Sequence, residues 1–543
     1  MFFSWKTTLP AEANPERPTA RVLVVSIDCT TASSETPMLA PAFLVAHARA
    51  EPFVRERIEF DIRQFSVLES VEGILEQILA KSYDVIGFSC YVWNFAVYEQ
   101  LIPLVKQMRP DVMLMMGGPQ ILNEEEETFN RFPELDVLVY RDGEPAFRDL
   151  MIELASGRRD WASVGGVRVR GAGRVTDTRA QKKKVHFADI ASPYLDGVIT
   201  GRHKNLYLET YRGCPYSCAF CAWGGDEGPM NDLLPLDRVR RELDVVRSMG
   251  AHTLGFFDAN FNQPPSRAQA IFDMILEAQQ FKIVGMSVFA QTMREELAAK
   301  MSRVSTMIGV GLQTSDPEVN KVMKRRFRDE KMLAGVKLLK QHGLDFVLQV
   351  IIGLPGDTFA SIASTIEYAL AFEPPTIDVF RLMVLPGTEY RRRAQEFGLV
   401  YSRRPYHYVI STCTMSAQDI NRAERMGQAV GVFYNRPETR QEMFRQMAEN
   451  RESVVTWGDA MGTFIESFDL LDRTELRKGD LIRAKDVRYL LGIQSDFQRF
   501  RTELSIKMAS RARSAPASAP QTVSGPLVLV PSVAPSMAVA TQR

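Results

Sequence analysis

Hydrophobic positions along the chain fall into short β-branched runs separated by stretches of helical period. From Arg21 the order is RVLVVSI, a helical stretch, IEFDIRQF, a helix through ILEQILAKS, DVIGFS, a helix through LIPLVKQM, DVMLMMGGP and LDVLVYRDGEPAF. Such alternation reads as βα units on a parallel sheet. Residues 20–155 are therefore expected to form one α/β, doubly wound (Rossmann-like) domain. Ligands of such sheets sit beyond the carboxyl ends of the strands, here the loops Ser89–Asn94, Gly117–Gln120 and Asp142–Pro145. A second series follows: NLYLETYRG, HTLGFFDANF, IVGMSVFAQ, TMIGVGLQTS, FVLQVIIGLPGD and IDVFRLMVLPGT. It predicts an open or partial (β/α)6 barrel over residues 196–395, with its chemistry at the strand carboxyl ends.

The connecting segments differ in composition. Residues 156–195 are glycine-rich and basic and read as a linker with a possible short hairpin, its Lys182–Lys184 run a solvated connector. Residues 396–508 are mainly helical by pattern. Residues 1–19 read as an N-terminal extension, and residues 509–543, rich in Ala, Pro and Ser, as a disordered tail. The apolar stretch GPLVLVPSVAPSMAVA is broken by Pro526, Pro531 and Pro535, so it does not read as a membrane-spanning helix.

Length and charge narrow the class. A chain of 543 residues exceeds any single small binding module. Its 66 basic and 66 acidic residues cancel, which gives no sign of a nucleic-acid partner. Six cysteines are too few for a disulfide scaffold, and the first twenty residues lack the basic start and apolar stretch of a secretory signal, so a reduced, cytoplasmic protein is expected.

Three of those cysteines lie in Arg212-Gly213-Cys214-Pro215-Tyr216-Ser217-Cys218-Ala219-Phe220-Cys221-Ala222-Trp223-Gly224, directly after the first barrel strand. Such density in a reducing compartment implies a metal. Thiolates suit zinc or an iron–sulfur cluster, but zinc normally asks for a fourth ligand, and His203 and His252 lack the paired spacing. A cubane on three cysteines keeps one iron open to an exogenous ligand. The pattern favours an open [4Fe-4S] cluster on Cys214, Cys218 and Cys221.

The CxxxCxxC spacing, with aromatic Phe220 before the third cysteine, resembles the signature of the radical S-adenosylmethionine (SAM) superfamily, and residues 200–395 resemble it throughout. The resemblance implies that SAM chelates the free iron and is cleaved to a 5′-deoxyadenosyl radical. It places SAM contacts at Phe220, at Asp258 and Asn260 after the second strand, at Gln313, Thr314 and Ser315 after the fourth, and at Gly353 and Leu354 after the fifth. Asp258-Ala259-Asn260 lacks the usual Gly-Gly-Glu letters, and a capped strand-end turn explains it equally well. Capping of the helix near Asp316-Pro317 competes at Gln313–Ser315, and Pro386-Gly387-Thr388 reads as a turn.

Cys29 and Cys90 alone cannot hold a second cluster in the first domain, and Ser26-Ile27-Asp28-Cys29-Thr30-Thr31 is not a dinucleotide-binding turn. The segments GFSCYVWN, MMGGPQI and RDGEPAF resemble instead the cobalamin-binding domain of cobalamin-dependent radical SAM enzymes. That resemblance implies cobalamin contacts at Ser89, Tyr91, Trp93, Gly117, Gly118, Pro119, Gln120, Gly143 and Glu144. Glycines there would let backbone approach the ligand. Packing of Tyr91 and Trp93 between sheet and helix is an equal alternative. The domain's His47 lacks the Asp-x-His-x-x-Gly pattern, so no histidine is expected on cobalt, whose lower face would be open, water-bound or covered by another side chain, with Arg63 or Gln64 as candidates.

The reading implied is a cobalamin-dependent radical SAM C-methyltransferase of natural-product biosynthesis. It would move a methyl from methylcobalamin to an unactivated carbon of a small molecule or peptide after hydrogen abstraction, and needs no general acid or base. The alternative keeps both cofactors for a non-methylating cyclisation, ring contraction or oxidative rearrangement. An external electron donor such as flavodoxin or ferredoxin is expected, and no nucleic acid or membrane. Tyr406, His407, Tyr408, Cys413 and Tyr434 are substrate-side candidates that read first as structural.

Overall fold

The structure, a computed structural model, describes residues 20–29, 36–171, 173–182, 185–223, 232–278, 280–468, 470–471 and 487–514. The expected N-terminal extension, Lys183, Lys184, Gly224 and the tail beyond residue 514 lie outside the described residues.

The first sheet contains β1 (Ala20–Asp28), β2 (Ile58–Ser66), β3 (Val85–Ser89), β4 (Met113–Gly117), β5 (Val137–Val139), β6 (Val167–Gly171) and β7 (Arg174–Asp177). Its order is β2-β1-β3-β4-β5-β6-β7, with β2 through β5 parallel and β6 and β7 antiparallel. Val22, Leu23, Val24, Val25 and Ile27 are all buried, because helices cover both faces of the sheet. That is why β1 reads as a continuous apolar run rather than an alternation. Helices Leu39–Arg49 and Glu144–Ala155 pack on one face, Val71–Leu79 and Phe95–Met108 on the other. The strand order reverses between β1 and β3, so their carboxyl ends open a crevice.

The segment 156–195 does more than connect. Its hairpin β6–β7 docks on β5 and extends the first sheet, so the domain's structure runs on past residue 155.

The second sheet is all parallel, in the order β15-β14-β13-β12-β11-β8. Its strands are β8 (Asn205–Leu208), β11 (Thr253–Phe256), β12 (Ile283–Val288), β13 (Ser305–Gln313), β14 (Phe346–Ile352) and β15 (Thr376–Arg381). These are the six expected strands, and β8 and β15 are its edges, as an open barrel requires. A two-stranded ribbon of β9 (Tyr211–Arg212) and β10 (Asp232–Leu233) leads into and out of the cysteine segment. After a small β16–β17 pair (Val400–Tyr401, Val409–Ser411) come helices Ala417–Tyr434, Pro437–Asn450, Val454–Ser467 and Val487–Ser514. The last helix continues past residue 508, where the tail was expected, because Met508, Ala509, Arg511 and Ala512 are good helix formers. Among the described residues no helix is long and apolar enough to cross a membrane.

Candidate functional site

The carboxyl ends of the two sheets enclose a cavity of about 1770 Å³. That is well above the roughly 300–1,000 Å³ of an ordinary small-molecule pocket. Ser89, Tyr91, Trp93, Gly117, Gly118, Pro119, Gln120, Gly143 and Glu144 all line it from the first domain, and Phe220, Cys221 and Gln313 from the barrel side. Sequence segments far apart in the chain thus meet around one space.

The first-domain wall is set by backbone and side-chain bonds. Asn94, fully buried, accepts from the Tyr91 amide at 2.8 Å and donates to the Ile27 and Ser89 carbonyls, both at 3.0 Å. The Trp93 indole N–H donates to the Ile27 carbonyl at 2.9 Å, and its ring stacks on Tyr91 with centroids 4.4 Å apart. The aromatic pair is both anchored and cavity-lining. Gly118 has φ 123°, and a β-carbon there would lie 2.3 Å from the Cys90 carbonyl oxygen. Its glycine is thus demanded by the neighbouring loop, before any ligand is considered.

Two expected contacts from this domain are already engaged. Gln120 Nε2 donates to His407 Nε2 at 2.7 Å, while its Oε1 is buried without a partner among the described residues. Glu144 bonds Arg212 Nη2 at 2.7 Å, and Glu209 takes Arg212 Nε at 3.2 Å. Burial pushes the Glu209 carboxyl up to about 7, and the second carboxylate nearby adds to this. Burial also opposes the Glu144 charge, but Arg212 outweighs it and holds Glu144 below the usual carboxylate range. Arg63 and Gln64 do not line the cavity. Gln64 is occupied by Met38 N at 3.0 Å and Thr36 O at 2.9 Å. His47, also away from the lining, accepts from the Ala191 amide at 3.4 Å, whereas His186, from the linker segment, does line the cavity.

Hydrogen bonds hold the cysteine segment on both sides. Asp258, almost fully buried, accepts from Thr210 N at 2.6 Å and Thr210 Oγ1 at 2.5 Å, and the Asn260 amide donates to Tyr211 OH at 2.6 Å. Ala219 N donates to the Met323 carbonyl and accepts at its own carbonyl from Tyr390 N. Cys214, Cys218 and Cys221 are free and half-buried. Burial pushes the Cys214 thiol up and that of Cys221 up to about 12, with Arg325 pulling against both shifts. Among the described residues no three His, Cys, Asp or Glu side chains converge on a single ion. A cubane asks for something different, one thiolate on each of three irons, and three soft, spaced thiols suit it. Binding such a group releases the thiol protons.

The expected SAM positions separate into two sets. Gln313, at φ 70° on the β13 bulge, faces the cavity. Asn260 Oδ1 is buried with no partner among the described residues, an acceptor of the kind an ammonium group needs. Asp258 instead spends both oxygens on Thr210, and burial raises its carboxyl to about 6. Thr314 and Ser315 turn to Thr365, at 3.4 and 3.1 Å between hydroxyls, so they tie β13 to helix Phe359–Ala371. Gly353 takes φ 83°, and the Leu354 amide donates to Asp357 Oδ2 at 3.1 Å. None of Asp258, Asn260, Thr314, Ser315, Gly353, Leu354, Cys214 and Cys218 lines the cavity itself. Thr388 caps the short helix Glu389–Arg392, its hydroxyl accepting from the Arg391 amide.

Of the substrate-side candidates, Tyr434 donates to the Pro374 carbonyl at 2.9 Å, Tyr406 stacks on Tyr408, and Cys413 is exposed. None lines the cavity, whereas Leu382, Met383, Leu385 and Pro386 do. The sequence reading missed Arg325, which bonds the Gly311 carbonyl at 2.5 Å and lies over Phe289 beside the cysteines. It also missed Asn94 and the Glu209–Arg212 pair. Asn94 had a signal, an Asx residue opening a helix, and Glu209–Arg212 had its i,i+3 spacing; the Glu144–Arg212 pair spans domains and had none.

Comparison with known proteins agrees with this layout. The B12 binding domain family model matches residues 26–151 and the Radical SAM superfamily model residues 208–369. The chain is 29% identical over 374 residues to 2-(S-pantetheinyl)-carbapenam-3-carboxylate methyltransferase of Streptantibioticus cattleyicolor, covering 64% of this chain and 54% of that protein. It is 29% identical over 370 residues to the cobalamin-dependent radical SAM methyltransferase TokK of Streptomyces tokunonensis, covering 62% and 53%. The chain thus spans about half the length of these curated relatives. In structure it is similar to the cobalamin-dependent S-adenosylmethionine radical enzyme OxsB with aqua-cobalamin and S-adenosylmethionine bound. That match has a TM-score of 0.62 at 16% identity and covers 92% of this chain and 82% of that one.

Proposed function

We propose that the chain, which matches the B12 binding domain model ahead of the Radical SAM superfamily model, is a cobalamin-dependent radical SAM C-methyltransferase. Its substrate is a small molecule or peptide bearing an unactivated carbon. The observation that carries this reading is the shared cavity, walled on one side by the loops after β3, β4 and β5 and on the other by Phe220, Cys221 and Gln313. Two cofactors that act on one substrate carbon need such a common space.

Cys214, Cys218 and Cys221 hold the [4Fe-4S] cluster, Asn260 and Gln313 meet SAM, and Tyr91, Trp93, Gly117 and Pro119 meet cobalamin. When bound, the cluster with SAM supplies a hydrogen-abstracting radical and cobalamin a transferable methyl. The protein's own part is placement. Asp258 fixes the strand before the cysteines, Asn94 fixes the loop bearing Tyr91 and Trp93, and the apolar residues Leu382, Met383 and Leu385 exclude water from the same wall. One relative is named as a carbapenam-carboxylate methyltransferase, which supports a place in natural-product biosynthesis; a cytoplasmic location and a flavodoxin- or ferredoxin-like electron donor complete the proposal.

The test needs no substrate. Loaded, reduced protein incubated with SAM is expected to release 5′-deoxyadenosine and, separately, S-adenosylhomocysteine. Release of 5′-deoxyadenosine without S-adenosylhomocysteine contradicts methyl loading and returns the reaction to a non-methylating class.

A further inference from the structure

The buried ion pair between Glu144 and Arg212 joins the two halves of the cavity. Glu144 opens the helix after β5 in the first domain, and Arg212 ends β9 two residues before Cys214. The Arg212 guanidinium lies 4.2 Å from the ring centroid of Phe187, in the segment between the domains, and 5.2 Å from that of Phe43, in a first-domain helix. Glu209, at the end of β8, takes its Nε. All five residues line the cavity. Glu144 is buried and Glu209 and Arg212 are partly so, and such a charge cluster is a poor choice for stability alone, since apolar packing of the same volume does as well or better. What an ion pair adds is direction, two charge-assisted bonds that fix the guanidinium plane. Among the described residues, the ties of Gln120 to His407, Glu124 to Arg391 and Leu122 against Gly387 reach the segment 387–407 rather than the cysteine loop, while Phe187, packed on Phe43, donates its amide to Asp232 on the strand paired with β9.

Resting on the two-cofactor reading above, we infer that Glu144 is a positioning residue: by holding Arg212 it locks the start of the cysteine loop against the first-domain loop Asp142–Pro145, and so sets the separation of the cobalt and cluster sites. Arg212 serves two carboxylates. Removing the charge of Glu144 leaves Arg212 paired with Glu209, one against one, so the neutral isostere Glu144→Gln retains a balanced site.

The test is made on the full chain loaded with both cofactors and reduced to paramagnetic cob(II)alamin and [4Fe-4S]⁺. A nearby reduced cluster speeds relaxation of the cobalt spin and raises the microwave power needed to saturate its signal. Glu144→Gln and Glu144→Ala are expected to bind iron and cobalt at wild-type stoichiometry while the half-saturation power falls several-fold, with Glu144→Asp, which keeps the charge, falling less. Unchanged saturation in fully loaded Glu144→Gln overturns the inference. Loss of cobalt or iron from Glu144→Gln also overturns it, since the residue then holds one cofactor rather than spacing two. Wild-type protein that takes iron but no cobalt overturns the two-cofactor reading itself, an outcome visible before any variant is made.

Discussion

Asp258 gives both carboxylate oxygens to Thr210, one to its amide and one to its hydroxyl, four residues before Cys214. The position expected to face SAM thus serves the cysteine loop from behind. Hydrogen bonds to a charged group contribute about 1.5–3 kcal/mol, enough to hold a short ribbon in place. Asp258→Ala is expected to fold, but to retain less than half the wild-type cluster iron after anaerobic reconstitution and desalting. Wild-type iron in Asp258→Ala contradicts the anchoring role.

Trp93 belongs to the first-domain wall of the cavity. Its indole is fixed by the Ile27 carbonyl and stacked on Tyr91. Trp93→Ala is expected to lose most of its cobalamin on desalting while iron stays at the wild-type level, and Trp93→Phe, which keeps an aromatic ring but forgoes the N–H bond of about 1 kcal/mol, to lose less. Equal losses of iron and cobalt indicate a general folding defect instead.

Asp357 gives a pH signature. It is buried in the turn after β14, bonded to Leu354 N and Ser361 Oγ, and burial raises its carboxyl to about 7. The folded state therefore keeps this proton longer than the unfolded chain does. Between about pH 4 and 7 folding binds a proton at this site, so its contribution to stability falls as pH rises through that window, by at most about 4 kcal/mol. Urea unfolding of Asp357→Asn is expected to show a flatter dependence between pH 5 and 7.5 than the wild type. Parallel curves contradict the shift.

His407 titrates in the opposite sense. Burial and the adjacent Arg391 push it down to about 4, and it accepts from Gln120 as a neutral ring. Its protonation is disfavoured in the fold, so stability is lost as pH falls from about 6.5 through 4. His407→Gln is expected to weaken that acid loss, checked by thermal unfolding at pH 4.5 and 7.

The sequence made much of the architecture legible because the first sheet is buried on both faces, while the barrel strands alternate buried with more exposed positions and keep β-branched residues among the buried ones. The run RVLVVSI carries a signal independent of tertiary context, and the cysteine spacing is a local property of one loop. What stayed hidden was long-range. Gln120 and Glu144 were read as ligand contacts from their loops alone, yet their first partners, His407 and Arg212, lie in other parts of the chain. Thr314 and Ser315 sit where a ligand contact and a capping segment share one pattern, and Thr365, fifty residues on, claims both hydroxyls. The hairpin in the linker was visible, but its pairing with β5 was not, since register between distant strands leaves no mark in either strand alone.

The measurement closest to the central claim is a metal count. The full chain, reconstituted anaerobically with iron and sulfide, mixed with hydroxocobalamin and desalted, is compared with the Cys214→Ala/Cys218→Ala/Cys221→Ala variant. Near-stoichiometric cobalt in both proteins, with cluster iron lost only from the variant, is the result this account predicts. Iron without cobalt in the wild type, or cluster iron that survives the triple substitution, contradicts it.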